Sequence, residues 1–162
     1  MDQATVKDIT VLKQIYHDSF KHAHTVGRID WPDPTKTLFV EDIVNTGELY
    51  TFRLDRNIVG AARLSWQPDK RIWTDDAKNC LYLAKLATSE AVRGTNYLQQ
   101  HMLPAIQEYA GTDTTLRLDC LSDNERLKSF YHTLGFVNMG DATFFSDRQG
   151  IEITVTRFEK LA

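Results

Sequence analysis

Two cysteines, Cys80 and Cys120, are all that the 162-residue chain contains, and they lie far apart without a CxxC or Cys/His spacing. That leaves no disulfide framework and argues against a zinc site; both thiols are expected to be reduced and partly buried. His22 and His24 are close in sequence, but two ligands without a third nearby do not make a metal site, so they read as solvated helix-end histidines and no metal is expected. No apolar run approaches the ~20 residues that span a bilayer. The opening MDQATVKD lacks a basic segment followed by an apolar one, so no secretory leader is read and the cytoplasm is the expected compartment. Positive charge is also not in excess. The net charge is −3, and no dense Lys/Arg block offsets it, which removes any general attraction to nucleic-acid phosphates.

The chain also has no internal repeat, low-complexity tract or linker, so a single domain over residues 1–162 is expected to account for every segment. Its 42% apolar and 25% charged residues are ordinary for a globular protein. A chain of this size buries roughly 70% of the surface it would expose when unfolded.

The order of elements carries the fold. Ile9, Leu12, Ile15, Tyr16 and Phe20 recur at helical spacing behind Asp8, which predicts a capped first helix ending near Ala23. After the turn-rich TVGRIDWPDP, a second helix is expected over 35–44, closed by Gly47. Alternating apolar and polar residues around Asp55-Arg56-Asn57 predict a hairpin. Residues 67–79 read as a long loop with a frayed strand end at Ile72 and Trp73. Leu81 to Thr88 reads as a central strand buried on two sides. The following helix presents Leu98, Met102, Ile106 and Tyr109 on one face, and Pro104 should kink it near Gln100. TLRLDCL, a helix over 124–134 capped by Asp123 or Ser122, and two final strands complete the chain.

The bend in YLAKLATSEAVRGTNYL, where a strand runs through Arg93-Gly94 into a helix, has a chemical use. A helix start offers unpaired N–H groups and partial positive charge, so an anion such as a pyrophosphate binds there. Gly94 permits close backbone approach and Arg93 adds a planar charged fork. Taken alone, the same residues make an ordinary strand-to-helix turn with a surface arginine. In SDNERLKSFYHTLGF, Asn124 and Tyr131 are one heptad apart and share a helix face. Taken alone, Asn124 reads as a cap and Tyr131 as a core ring.

Together, LATSEAVRGTNYL and RLDCLSDNERLKSFYHTLGF resemble the GNAT superfamily of acyl-CoA-dependent N-acyltransferases, over nearly the whole chain. The first is similar to the family pattern Arg/Gln-x-x-Gly-x-Gly/Ala, with Arg93 at its start; Asn96 and Leu98 stand where the family has Gly and Gly/Ala. Asn tolerates left-handed backbone, whereas the Leu98 side chain would crowd the phosphate or the helix packing. The resemblance implies an α+β fold, a mixed, splayed sheet flanked by about four helices in the order (β)ααβββαβαββ. It also implies acetyl-CoA as co-substrate. Leu86, Ala87 and Thr88 would contact the pantetheine arm and acyl carbonyl through their main chain, and the amides from Arg93 through Gly94, Thr95, Asn96 and Tyr97 to Leu98 would hold the pyrophosphate. Asn124 would bond the pantetheine arm and Tyr131 would stand near the thioester sulfur.

An amine attacking an acyl thioester needs a base, oxyanion donors and a proton for the leaving thiolate. Tyr131, with a reference pKa near 10, is the expected acid. The central strand offers Tyr82 and Lys85 but no carboxylate, so Asp119 on the next strand is the candidate base. Its alternative is a pair with Arg117 or another cation. Lys85 is either a charge at a sheet edge or pocket rim, or a group touching acceptor. Trp31, Phe39 and Trp66 supply aromatic surface for an acceptor pocket, Phe39 reading as packing. The expected activity is N-acetylation of a small-molecule amine or exposed amino group by a monomer or homodimer, without nucleic acid or membrane. The competing readings are an acyl-CoA-binding or sensing protein of the same fold and an interaction domain with no nucleotide ligand.

Overall fold

The computed structural model describes residues 1–25, 40–75, 77–147 and 150–162. Among these, the elements in chain order are β1 (Asp2–Gln3), α1 (Ile9–Thr25), α2 (Val40–Thr46), β2 (Leu49–Leu54), β3 (Asn57–Ser65), β4 (Cys80–Thr88), α3 (Leu103–Ala110), β5 (Thr115–Leu121), α4 (Glu125–Thr133), β6 (Val137–Ser146) and β7 (Ile151–Leu161). The seven strands are ordered β1-β2-β3-β4-β5-β7-β6. Pairing of β4 with β5 is parallel, whereas β1–β2, β2–β3, β5–β7 and β6–β7 are antiparallel. The mixed α+β fold is therefore the one expected.

The chain divides into two compact units, Met1–Leu64 with Ala84–Ile106 and Ser65–Leu83 with Gln107–Ala162. In the first, the apolar stripe of α1 does what its spacing requires: Leu12, Ile15 and Tyr16 pack with Val40, Ile43 and Val44 of α2 and with Leu49, Ala61 and Ala87. The α1 cap differs from expectation. Thr5 precedes a 3-10 turn over Val6–Asp8, and the Asp8 carboxylate reaches back to accept from the Thr5 N–H at 2.9 Å and hydroxyl at 2.8 Å. An aspartate at the third position closes such a box from inside the turn.

In the second unit, β5 and β7 pair from Thr115↔Leu161 to Leu121↔Val155. One face of that ribbon carries Phe158, against which α4 lays Tyr131. The other face carries Val155, covered by Ile72 and Trp73 with Tyr82, Leu121 and Phe144 around them. Ile72 and Trp73 are thus not a strand end. They are the buried anchor of a loop, because two large apolar side chains in a polar stretch stabilise it most by docking on a sheet face. Tyr109 also departs from expectation: it is 40% exposed, its ring lying 6.2 Å from that of Trp66.

Candidate active site

Strand β4 breaks its own pleat. Its register with β5 runs from Cys80↔Thr115 to Tyr82↔Arg117, and three residues on, Lys85 has φ +53°. A left-handed residue inside a strand costs about 1–2 kcal/mol and interrupts the pleat locally, as a bulge does. Lys85 is therefore first of all a backbone feature, which neither sequence reading of its charge anticipated. The compensation comes from α1. The Tyr16 hydroxyl donates to the Lys85 carbonyl at 2.9 Å, and the Ser19 hydroxyl donates to the Thr88 carbonyl at 3.5 Å. Tyr16 is completely buried, and that desolvation pushes its phenol pKa far up, so it is a permanent donor. Sequence reasoning assigned Tyr16 to packing alone; the available signal was a phenol in an otherwise apolar stripe, which must find an acceptor.

Between these tethers lie Leu86, Ala87 and Thr88, of which Ala87 is fully buried and the other two half-buried. Ser89 then donates its N–H to the Val59 carbonyl at 2.8 Å, while its buried Oγ has no hydrogen-bond partner. After a 3-10 turn over Glu90–Val92, Gly94 and Asn96 adopt φ +78° and +56°. Asn96 thus performs the left-handed turn a glycine would, as expected. Gly94, Thr95 and Asn96 are exposed, and a Cβ added to Gly94 would meet nothing within 4 Å. Arg93 leans back from this bend, donating to the Asp18 carbonyl and to Glu90, both at 3.4 Å. Thr95 donates to the Val92 carbonyl at 2.7 Å, and Tyr97 is buried with its hydroxyl on the Arg53 carbonyl at 2.8 Å.

Leu98, half-buried, opens a π turn over Leu98–Met102, in which the Leu103 N–H bonds the Leu98 carbonyl. Pro104 has no N–H for the Gln100 carbonyl, and the widened turn is the form the expected kink takes. The turn seats Met102 against β3: a Cβ on Gly60 would stand 2.8 Å from the Met102 sulfur and 3.5 Å from the Ala87 carbonyl. An open, left-handed loop and an orphaned hydroxyl beside a kinked strand fit an anionic nucleotide thioester.

In the second unit, Asn124 caps α4, its Oδ1 accepting from the Leu127 N–H at 3.0 Å, so the cap is neither Asp123 nor Ser122. An amide one residue closer to the helix has the shorter reach to that N–H. Tyr131 is 7% exposed, its ring edge-on to Phe158 at 5.6 Å and 6.1 Å from Phe136. Asp119 accepts a hydrogen bond from the Tyr82 hydroxyl. It does not pair with Arg117, which binds Asp75 through both terminal nitrogens at 2.7 and 2.5 Å and Glu159 through Nε at 2.7 Å. Those bonds hold the Asp75 carboxyl below its ordinary pKa and push the guanidinium further up. Asp119 is opposite Arg157 while Phe158 is opposite Leu118, so Asp119 and Tyr131 lie on opposite faces of the β5–β7 ribbon. Trp66 is 50% exposed. Trp31 and Phe39 lie outside the described residues.

Solved acetyltransferases share this fold. A GNAT-family acetyltransferase from Listeria monocytogenes 4b F2365 is similar with a TM-score of 0.73 at 21% identity, over 99% of this chain and 92% of that one. One from Streptococcus agalactiae 2603 has a TM-score of 0.76 at 16% identity, over 98% and 92%. The structure of yncA from Salmonella typhimurium, with its cofactor acetyl-CoA, has a TM-score of 0.64 at 15% identity, over 98% and 90%. In sequence, the chain is 28% identical over 127 residues to the uncharacterized N-acetyltransferase YesJ of Bacillus subtilis (strain 168), covering 70% of this chain and 68% of YesJ. Residues 10–136 match the model of the acetyltransferase (GNAT) family. The chain belongs to that family, an enzyme family whose acyl donor is acetyl-CoA.

Proposed function

We propose that the protein transfers an acetyl group from acetyl-CoA to the amine of a small molecule or an exposed amino group, by direct attack in a ternary complex. The observation that carries this is the left-handed break at Lys85, three residues past the last β4–β5 pair at Tyr82↔Arg117, followed within the same segment by the open Gly94–Asn96 bend. Acetyl-CoA supplies an acetyl thioester. The main-chain groups of Leu86, Ala87 and Thr88 align the pantetheine arm and donate to the acyl oxygen. The amides of 93–98 hold the diphosphate, with Arg93 adding positive charge near it. Asn124 bonds the pantetheine arm.

Tyr131 keeps its proton at neutral pH and gives it to the departing sulfur. Asp119, oriented by the Tyr82 hydroxyl, accepts a proton from the acceptor's ammonium, so that the neutral amine attacks the thioester carbonyl. Because Asp119 and Tyr131 lie on opposite faces of the ribbon, that proton reaches Asp119 through a chain of water molecules. Lys85, Trp66 and Trp31 are the acceptor contacts in this reading.

Thiol release from acetyl-CoA across a panel of amines tests the proposal. Tyr131→Phe should lower kcat by ~10²-fold or more, the usual contribution of a general acid, with coenzyme A affinity within about threefold of wild type. Saturable coenzyme A binding without turnover on any amine would instead favour an acyl-CoA-sensing role, the reading that Leu98 at a Gly/Ala position supports. Absence of any thermal shift with coenzyme A would overturn both, since a binder gains about 2.7 kcal/mol at a hundredfold excess over its Kd.

A further inference from the structure

We propose that Tyr16 is a positioning residue for acyl transfer: the hydrogen bond from its hydroxyl to the Lys85 carbonyl holds β4 in the left-handed turn that aims the amides of Leu86–Thr88. The inference rests on the reading that those amides serve the acyl thioester. It adds that a side chain on α1, remote in sequence from the motif, sets their direction.

Four non-glycine residues have positive φ among the described residues: Asp55, Asn79, Lys85 and Asn96. Three are Asp or Asn, whose short polar side chains accommodate that conformation through local hydrogen bonds. Lys85 has no such intrinsic tolerance, so the turn at 85 must be imposed by its surroundings. Tyr16 supplies the restraint. Its hydroxyl is sealed from solvent and bonds the Lys85 carbonyl at 2.9 Å. One helical turn further, Ser19 addresses the Thr88 carbonyl at 3.5 Å, and the Asp18 carbonyl accepts from Arg93 at 3.4 Å. One flank of α1 therefore holds carbonyls at both ends of the three-residue segment. Peptide planes pinned at both ends keep their N–H groups in one direction before ligand arrives, the preorganisation that oxyanion stabilisation needs.

The test is a double-mutant cycle in the full chain, Tyr16→Phe with Lys85→Gly, read by amide hydrogen exchange at 86–88 without ligand, coenzyme A calorimetry, and kcat. Tyr16→Phe keeps the ring and loses the donor. It should speed exchange at 86–88 and lower kcat, each by ~10-fold as for one lost hydrogen bond, with coenzyme A affinity within about twofold. Glycine adopts the left-handed turn without help, so in the Lys85→Gly background adding Tyr16→Phe should change exchange and kcat by less than about twofold. Unchanged exchange in Tyr16→Phe, or fully additive effects in the cycle, would overturn the proposal. Were no amine turned over by the wild type, the acetyltransferase reading would fail by itself, and the exchange cycle would still decide the role of Tyr16.

Discussion

Replacing Arg117 by Met should destabilise the protein by about 2–3 kcal/mol. The guanidinium is 3% exposed, makes a two-pronged contact with Asp75 at 2.7 and 2.5 Å and a bond to Glu159 at 2.7 Å, and lies 4.1 Å from the Trp73 ring centroid. Removing one partner of a buried ion pair costs about 3–5 kcal/mol, because the other charge is left in a poor dielectric. The penalty is discounted here because the Asp75 side chain is half exposed and can turn to water, whereas Glu159 is mostly covered. Methionine keeps part of the packing on Trp73. For a chain of this size each kcal/mol lowers Tm by about 2–4 °C, so the expected fall is about 4–12 °C, measured by calorimetry at pH 7. Adding Glu159→Gln, which removes the stranded charge, should recover about half of it. A fall below about 2 °C, or a double variant less stable than Arg117→Met, would refute the idea that this cation fastens the 66–79 loop to β5 and β7.

The Asp75–Arg117 pair also has a pH signature. The folded carboxyl pKa is depressed, chiefly by its hydrogen bonds from Arg117, so its stabilisation is present above the unfolded value of about 3.9 and lost as pH falls through the lower folded value. Tm should therefore drop more steeply below pH 4 in wild type than in Arg117→Met. Gly60→Ala should cost about 1–3 kcal/mol by overpacking, since the added carbon lies 2.8 Å from the Met102 sulfur, and should weaken coenzyme A binding measured by calorimetry if the 93–98 segment holds the diphosphate as proposed, because Met102 ends the π turn that follows it. Asn124→Asp retains the oxygen that caps Leu127 but loses the amide donor. Thermal stability within about 0.5 kcal/mol of wild type with roughly tenfold weaker coenzyme A binding is the result that assigns the donor to the pantetheine arm; unchanged affinity leaves Asn124 as a cap only.

Much of this architecture could be read from local pattern. Leu12, Ile15 and Tyr16 recur on one face of a helix and are buried there, and alternation around Asp55 produces the β2–β3 hairpin. Asn96 at a glycine position was expected to keep a left-handed bend and does. These follow from residues three or four apart, or two apart, where chain geometry alone decides which side chains share a face. Within the loop over 67–79, Ile72 and Trp73 depart from the expected strand end because their order comes from β7, about eighty residues later in sequence, and not from any periodicity of their own.

What sequence determined by itself, then, was the succession of elements, the strand-loop-helix motif and the family resemblance, all encoded in near-neighbour spacing and turn chemistry. Tertiary structure alone decided that Lys85 would be left-handed, that Tyr16 would hold it, and that Asp119 would accept from Tyr82 while Arg117 turned to Asp75 and Glu159. Each of those choices joins residues from separate elements. A buried donor or charge takes whichever partner the packed sheet and helix bring within reach, and that competition is resolved only when the backbone has closed.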